Sequence, residues 1–321
     1  MTAIPQKAAT PFSRQPGNLV ATILALCLLA TGCSIKRMAV NKMGNALAGS
    51  GTTFASDDDP DLIKAAVPFS LKLMESLLAE SPSHKGLLFA TSSGFTQYAY
   101  AFVQQDADEL EAKDLAAATA LRVRAKRLYL RARNYGLRGL EAAYPGFEGR
   151  LRANPKQAVR LTKRADVPLL YWTAASWGLA ITPDDPELIA EQPIVEALID
   201  RALALNESWD RGAIHGFLIT YETRRQGAKG DASQRSRQHF QRAVELGGGQ
   251  QASPYVSLAE AVSIQKQDVK EFESLLRQAL AINPDTNPEQ RLINCVMQRR
   301  ARWLLSKRED LFLMPASPAT K

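Results

Sequence analysis

Three cysteines in 321 residues are too few to staple a fold, and their positions make them fewer still. Cys27 lies in an apolar leader and Cys33 directly behind it, so Cys295 has no partner for an intrachain disulfide. The body must stand on packing alone, with Cys295 read as a small buried apolar residue. Histidine is equally scarce: His84, His215 and His239 are scattered, and none pairs with another at helical spacing. Also absent are HExxH, GxSxG, a Walker loop and CxxC, so the usual routes to metal, acyl or phosphoryl chemistry are closed. Gly247-Gly248-Gly249 follows a helix and precedes no strand, which makes it a helix end and loop, not a phosphate cradle. No catalytic residue, cofactor or metal is expected. Past Cys33 no apolar run is long enough to span a bilayer of ~30 Å.

The leader itself is informative. Lys7 and Arg14 precede an apolar run from Leu19 to Ala30 with no acid among them. Roughly a dozen apolar residues make a secretory segment, not a spanning helix. Leu28-Leu29-Ala30-Thr31-Gly32-Cys33-Ser34 resembles a bacterial lipoprotein signal, with Ala30 where Leu is commoner. It implies cleavage before Cys33 and acylation of its thiol, palmitate-like chains holding the mature chain on a membrane. Ser34, where Asp would signal retention, favours the periplasmic face of the outer membrane. The chain then divides into a signal peptide (1–32), a Gly-rich tether (33–58), a helical domain (59–312) and a disordered tail (313–321).

A hydrophobic fraction of 45% supplies a real core, and the net charge of +7 is moderate. Arg122, Arg124, Lys126, Arg127, Arg131, Arg133 and Arg138 form the densest basic patch. It reads first as a solvated helix face, then as a site for an acidic protein or an anionic membrane; nucleic acid is not expected for an exported chain. Asp57-Asp58-Asp59-Pro60-Asp61 reads as a helix start and not as a calcium loop, because acids followed by Pro suit a first turn.

Apolar residues then recur at three and four, with no sustained alternation, so the fold class is all-α. The spacing predicts helices over 60–79, 84–105, 107–144, 147–153, 155–162, 167–181, 186–204, 209–225, 232–246, 253–266, 269–281 and 288–307. The third has a bend near Gly136 or Gly139. Ile199–Asn206, Phe240–Gly247 and Leu276–Asn283 look alike, with Ala202, Ala243 and Ala279 in register, 41 and 36 residues apart. A small residue there lets neighbouring helices approach. Phe240/Ala243 and Leu276/Ala279/Pro284 fit half of the tetratricopeptide pattern, whose period is about 34 residues. The reading is a degenerate tetratricopeptide-like solenoid of helix hairpins, which binds along the faces of its first helices. Tyr171, Trp172, Trp177, His215, Tyr221 and Tyr255 lie on such helices and are the candidate partner or ligand contacts. Thr173 and Trp177 share a face while Trp172 points elsewhere, so one tryptophan can be core and the other line a groove.

Four blocks carry a further resemblance: Tyr135-Gly136-Leu137-Arg138-Gly139-Leu140-Glu141 with Pro145-Gly146-Phe147, Leu170 to Gly178, Pro254 to Glu260, and Gln298 to Leu305. Together they resemble the TatT family, tetratricopeptide-like lipoproteins associated with tripartite ATP-independent periplasmic (TRAP) transporters. The resemblance runs from about Cys33 to Phe312. It implies a helical fold that tends to trimerise, with a TRAP solute-binding protein as partner. It also implies a central pore or cleft that helps hand a hydrophobic small molecule to that partner, and no catalytic residues. The alternative from the same lipobox and repeats is a lipoprotein of outer-membrane or pilus assembly. An enzyme is the weakest reading, since no acid pair is recognisable.

Overall fold

A computed structural model describes residues 38, 40–49 and 51–313. Cys33, the leader and the tail beyond Leu313 lie outside the described residues. Within them the chain is all-α, with no strand. We number the ten principal helices α1 (Pro60–Glu80), α2 (Lys85–Tyr98), α3 (Leu115–Ala143), α4 (Val167–Ala180), α5 (Gln192–Leu205), α6 (Ala213–Tyr221), α7 (Ala232–Leu246), α8 (Ser253–Leu258), α9 (Val269–Ala281) and α10 (Arg291–Ser306).

Capping explains where they start. The Asp59 carboxylate accepts from the amides of Asp61 and Leu62, both at 3.0 Å, with Pro60 in the first turn. The acidic run therefore opens α1. Asp114 does the same for Ala117 N at 2.9 Å and corrects one expectation. The predicted rod over 107–144 is cut there, because four residues, Glu111 to Asp114, turn the chain back and start α3 afresh. At Gly136 and Gly139 helix α3 runs on without a break. They mark the crossing of α4. A Cβ on Gly139 would stand 2.8 Å from Leu169 Cδ2, and one on Gly136 would collide with Thr173 Oγ1. Gly136→Ala is thus expected to destabilise by about 1–3 kcal/mol, measured by urea unfolding, because buried Thr173 cannot retreat.

The helices stack in hairpins. α2 packs on α3, α4 on α5, α6 on α7, α8 on α9, and neighbouring pairs touch through α4, α6 and α8. Helix α4 meets helices on several sides and is correspondingly apolar around most of its circumference, burying Val167, Leu170, Ala174, Trp177 and Ala180. The last helix returns to the start, with α10 against α1 and against the short helix Gly51–Ala55. Arg299 seals that junction through Asp106 (3.2 Å) and Glu109 (2.6 Å), and Arg291 reaches the carbonyl of Ser56 at 3.2 Å. Two large cores result, one over α1–α6 and one over α6–α10, and Tyr100 packs against both. Within the tether segment a short helix around Val40 to Leu47 is compatible with the sequence, and residues 40–49 are helical, with Val40 and Leu47 packed beside Leu78 and Leu87.

The basic patch on α3 is mostly neutralised. Arg122 pairs with Glu111 (2.8 Å), Lys126 with Asp185 (2.9 Å), Arg131 with Glu75 (2.5 Å) and Arg133 with Glu191 (3.4 Å). It is a latticed helix face more than a free cationic surface.

Candidate functional site

The inner faces of α2, α4, α6, α8 and α10 surround a cavity of about 1090 Å³, joined by α1 and part of α3. That is the size range of sites for small organic ligands. Its wall is built from first helices of the hairpins, and three local departures from α geometry shape it.

Two are π-helical turns: Ala99–Gln104, continuing α2, and Ala259–Ser263, continuing α8. An extra residue per turn rotates the side chains that follow and is favoured at functional sites. These turns carry Tyr100 and Glu260 to the cavity. Burial pushes the Tyr100 hydroxyl well above its usual range, helped by the Glu260 charge. Glu260 is itself raised by burial, although Arg300 beside it pulls the other way. The Arg300 guanidinium donates to Glu260 Oε1 through Nε (3.0 Å) and Nη2 (2.6 Å), while Nη1 lies 2.9 Å from Asp108 Oδ2.

The third departure precedes α6. Asp210, Arg211 and Gly212 all hold left-handed backbone, with φ of 46°, 55° and 87°. Two non-glycine residues there are strained, each at a cost of order 1–3 kcal/mol. This turn sets Trp209 against Tyr171, ring centres 4.9 Å apart, and puts Asp210 on the wall. Burial raises the Asp210 carboxyl despite the Arg211 charge. Tyr171 also meets Trp172 edge-on at 4.9 Å and Phe217 at 6.4 Å, and Phe217 stacks on Tyr221 at 5.3 Å. An aromatic wall thus runs from Tyr221 to Tyr171. Burial raises the Tyr171 hydroxyl, with smaller contributions from Asp210 and Tyr100, and Tyr171 and Tyr100 line the same cavity.

Of the sequence-derived candidates, Tyr171, Trp172 and Tyr221 line the cavity. Trp177, His215 and Tyr255 do not. Trp177 is fully buried behind the wall, its indole N–H donating to Glu191 Oε2 at 2.8 Å, with Arg133 and Arg152 over its ring. Tyr255 turns toward α7 and meets Phe240 edge-on at 5.3 Å. His215 also faces α7, and here the reading of isolated histidines is corrected: His215 Nδ1 lies 2.8 Å from His239 Nδ1. Spacing along one helix could not reveal a pair 24 residues apart on two helices. Sequence reasoning missed Tyr100, Trp209, Asp210, Phe217 and Arg300. Phe217, one turn before Tyr221, was reachable by helical spacing; Tyr100 was not, because a π-turn leaves no periodic signal.

Only one nitrogen of the histidine contact can carry the bridging proton, which disfavours protonating both rings. Burial holds both below the ordinary range, His239 at about 4 with the His215 charge adding to the effect. Glu207 and Arg242 face His215, and Glu222, Arg225 and Asp200 act on His239. A depressed histidine leaves stability intact above the unfolded value near 6.5 and removes it as pH falls from there toward 4. His239→Gln should therefore flatten the fall in thermal midpoint over that window by a few degrees relative to wild type. Parallel midpoint–pH curves for the two proteins would refute the pairing.

Among the described residues no helix is long and apolar enough to cross a membrane, and no cluster of ligands could hold a metal. An uncharacterised protein of Treponema pallidum (strain Nichols) is 30% identical over 311 residues, covering 90% of this chain and 96% of its own length. Residues 56–312 match a family described as the TRAP transporter T-component. That match takes in every helix from α1 to α10, and with it the cavity wall except Leu47, Ala48, Phe54 and Ala55, which precede it. The chain belongs to the TRAP transporter T-component family, and its role is associated with TRAP transport.

Proposed function

We propose that this T-component is a non-enzymatic scaffold, tethered by acylated Cys33 to the periplasmic face of the outer membrane, that docks a TRAP solute-binding protein. Its cavity holds a hydrophobic solute on the way to or from that partner. Its hairpins act as degenerate tetratricopeptide-like repeats, and the assembled form is a trimer. The observation that carries the reading is the aromatic-walled cavity in a chain of transporter-component membership. Such a wall offers large apolar area for an organic solute. The four inner hairpin helices supply most of it, as solenoids that bind along one face do.

The experiment is affinity capture of the tagged full chain from its own membranes, followed by mass spectrometry of proteins and of extracted small molecules. A periplasmic solute-binding protein should be enriched. Capture that repeatedly yields outer-membrane assembly factors in its stead would reject the docking. For the anchor, Cys33→Ser should leave an unacylated precursor, read by loss of acyl labelling; labelling that persists in the variant would put the lipid elsewhere.

A further inference from the structure

The end of the cavity around Tyr100 has its charges matched and one amide left over. Asp108 accepts from Arg122 (3.2 Å) and faces Arg300 (2.9 Å), Glu260 is held by Arg300, and Lys126 is taken by Asp185. Gln104 Oε1 accepts the Tyr129 hydroxyl at 2.6 Å. Gln105, next along the wall, is only 2% exposed, and neither its Oε1 nor its Nε2 has a partner among the described residues. Flipping the amide changes nothing, since both atoms are orphaned. At the far end of the aromatic wall the Tyr221 hydroxyl is orphaned too. A buried amide left unpaired is costly, whereas Met would fill the same space without that cost. Retaining Gln there makes sense where something that both donates and accepts hydrogen bonds meets it.

A charged head gains little at this end. An anion would lie beside Asp108 and Glu260 with every nearby cation already engaged, and a cation would meet Arg300 and Arg122. The two lining charges without an ion-pair partner among the described residues, Asp210 and Arg224, stand before and after α6, away from Gln105 in the chain.

We infer that the cavity takes a single-chain amphiphile with an uncharged, hydrogen-bonding head, such as a hydroxyl or amide. The head pairs with Gln105 near Tyr100, and the tail lies along Tyr171, Trp172 and Phe217. This rests on the proposed solute-binding role of the cavity and specifies the class of solute, which that role leaves open.

The test uses the full chain and displacement of the neutral fluorophore N-phenyl-1-naphthylamine near neutral pH, below the micelle concentration of each competitor. 1-Decanoylglycerol and decanoate share a tail and differ in the charge of the head. The monoglyceride should compete at least ~10-fold better than the carboxylate. Gln105→Met should erase most of that difference while raising the thermal midpoint of the ligand-free protein by a few degrees, as expected when an orphaned amide is removed. The midpoint shift also shows that the variant folds. Equal competition by the two probes, or a preference untouched in Gln105→Met, overturns the inference while leaving an apolar solute site standing. If neither probe nor fluorophore binds, the inference falls together with the solute role, and capture of the solute-binding protein still judges docking separately.

Discussion

Arg300→Met is expected to lower the unfolding free energy by about 3–5 kcal/mol, the range for breaking one side of a buried ion pair. Arg300 is the only cation bonded to Glu260 among the described residues, and it shares Asp108 with Arg122. Its own charge survives burial because those two carboxylates outweigh desolvation, while its guanidinium stacks on Trp303 at 4.3 Å. Take Arg300 away and Glu260 keeps its burial but loses its cation. Its carboxyl, already raised by burial, rises further. The sign of the pH dependence follows. A carboxyl raised in the folded state is accommodated while protonated, below its unfolded value, and penalises folding as pH climbs through the folded value. The variant should therefore be most impaired in alkaline buffer and partly rescued by mild acid, opposite in sense to the His239 effect. Glu260→Gln combined with Arg300→Met should recover much of the loss, because no unpaired charge remains buried. Urea titrations at two pH values check all of this. A single variant within ~1 kcal/mol of wild type at both would mean that the cluster is an ordinary solvated pair.

Much of this architecture was legible because it follows from local rules. The apolar period of three and four, Pro60 after Asp59, and the alanines Ala202, Ala243 and Ala279 each act within a turn or two of helix, and all three alanines are buried at helix contacts. Capping at Asp114 is visible in principle, but helix-forming neighbours outweigh it in the pattern, which merges two helices into one. The cavity was harder. Its first-helix aromatics Tyr171, Trp172 and Tyr221 could be named from the order of hairpins. The end around Tyr100 depends instead on two π-turns and on the Glu260–Arg300 contact, 40 residues apart, neither of which has a sequence period. The left-handed Asp210-Arg211 pair is hidden for a related reason: Asp tolerates positive φ without requiring it and Arg rarely adopts it, so the apolar pattern starts a helix at Trp209 whereas α6 begins at Ala213.

Trp172 and Trp177, five residues apart on α4, should separate binding from folding. Trp177→Ala removes a fully buried indole, leaves Glu191 Oε2 with only the longer bond from Arg133 Nη1 (3.4 Å), and unstacks Arg133, whose ring distance is 4.8 Å. The loss should be about 3–5 kcal/mol, with the upper end favoured because α3 and α5 both press on that side of α4 and cannot both close the gap. Trp172 is only half-buried, with its edge contact to Tyr171 and its remaining surface toward the cavity. Trp172→Ala should cost no more than ~1 kcal/mol in stability, because the space it vacates already adjoins an open volume, yet weaken N-phenyl-1-naphthylamine binding at least ~5-fold. Trp177→Phe provides the control: it retains ring volume, loses the indole donor, and should fall between wild type and Trp177→Ala in stability while binding the fluorophore normally. Should Trp172→Ala prove as destabilising as Trp177→Ala, the indole at 172 would be core, and the aromatic wall would lose the residue best placed to touch a ligand. Should it bind the fluorophore as wild type does, the ring at 172 would carry no binding energy, and the ligand path along it would fall.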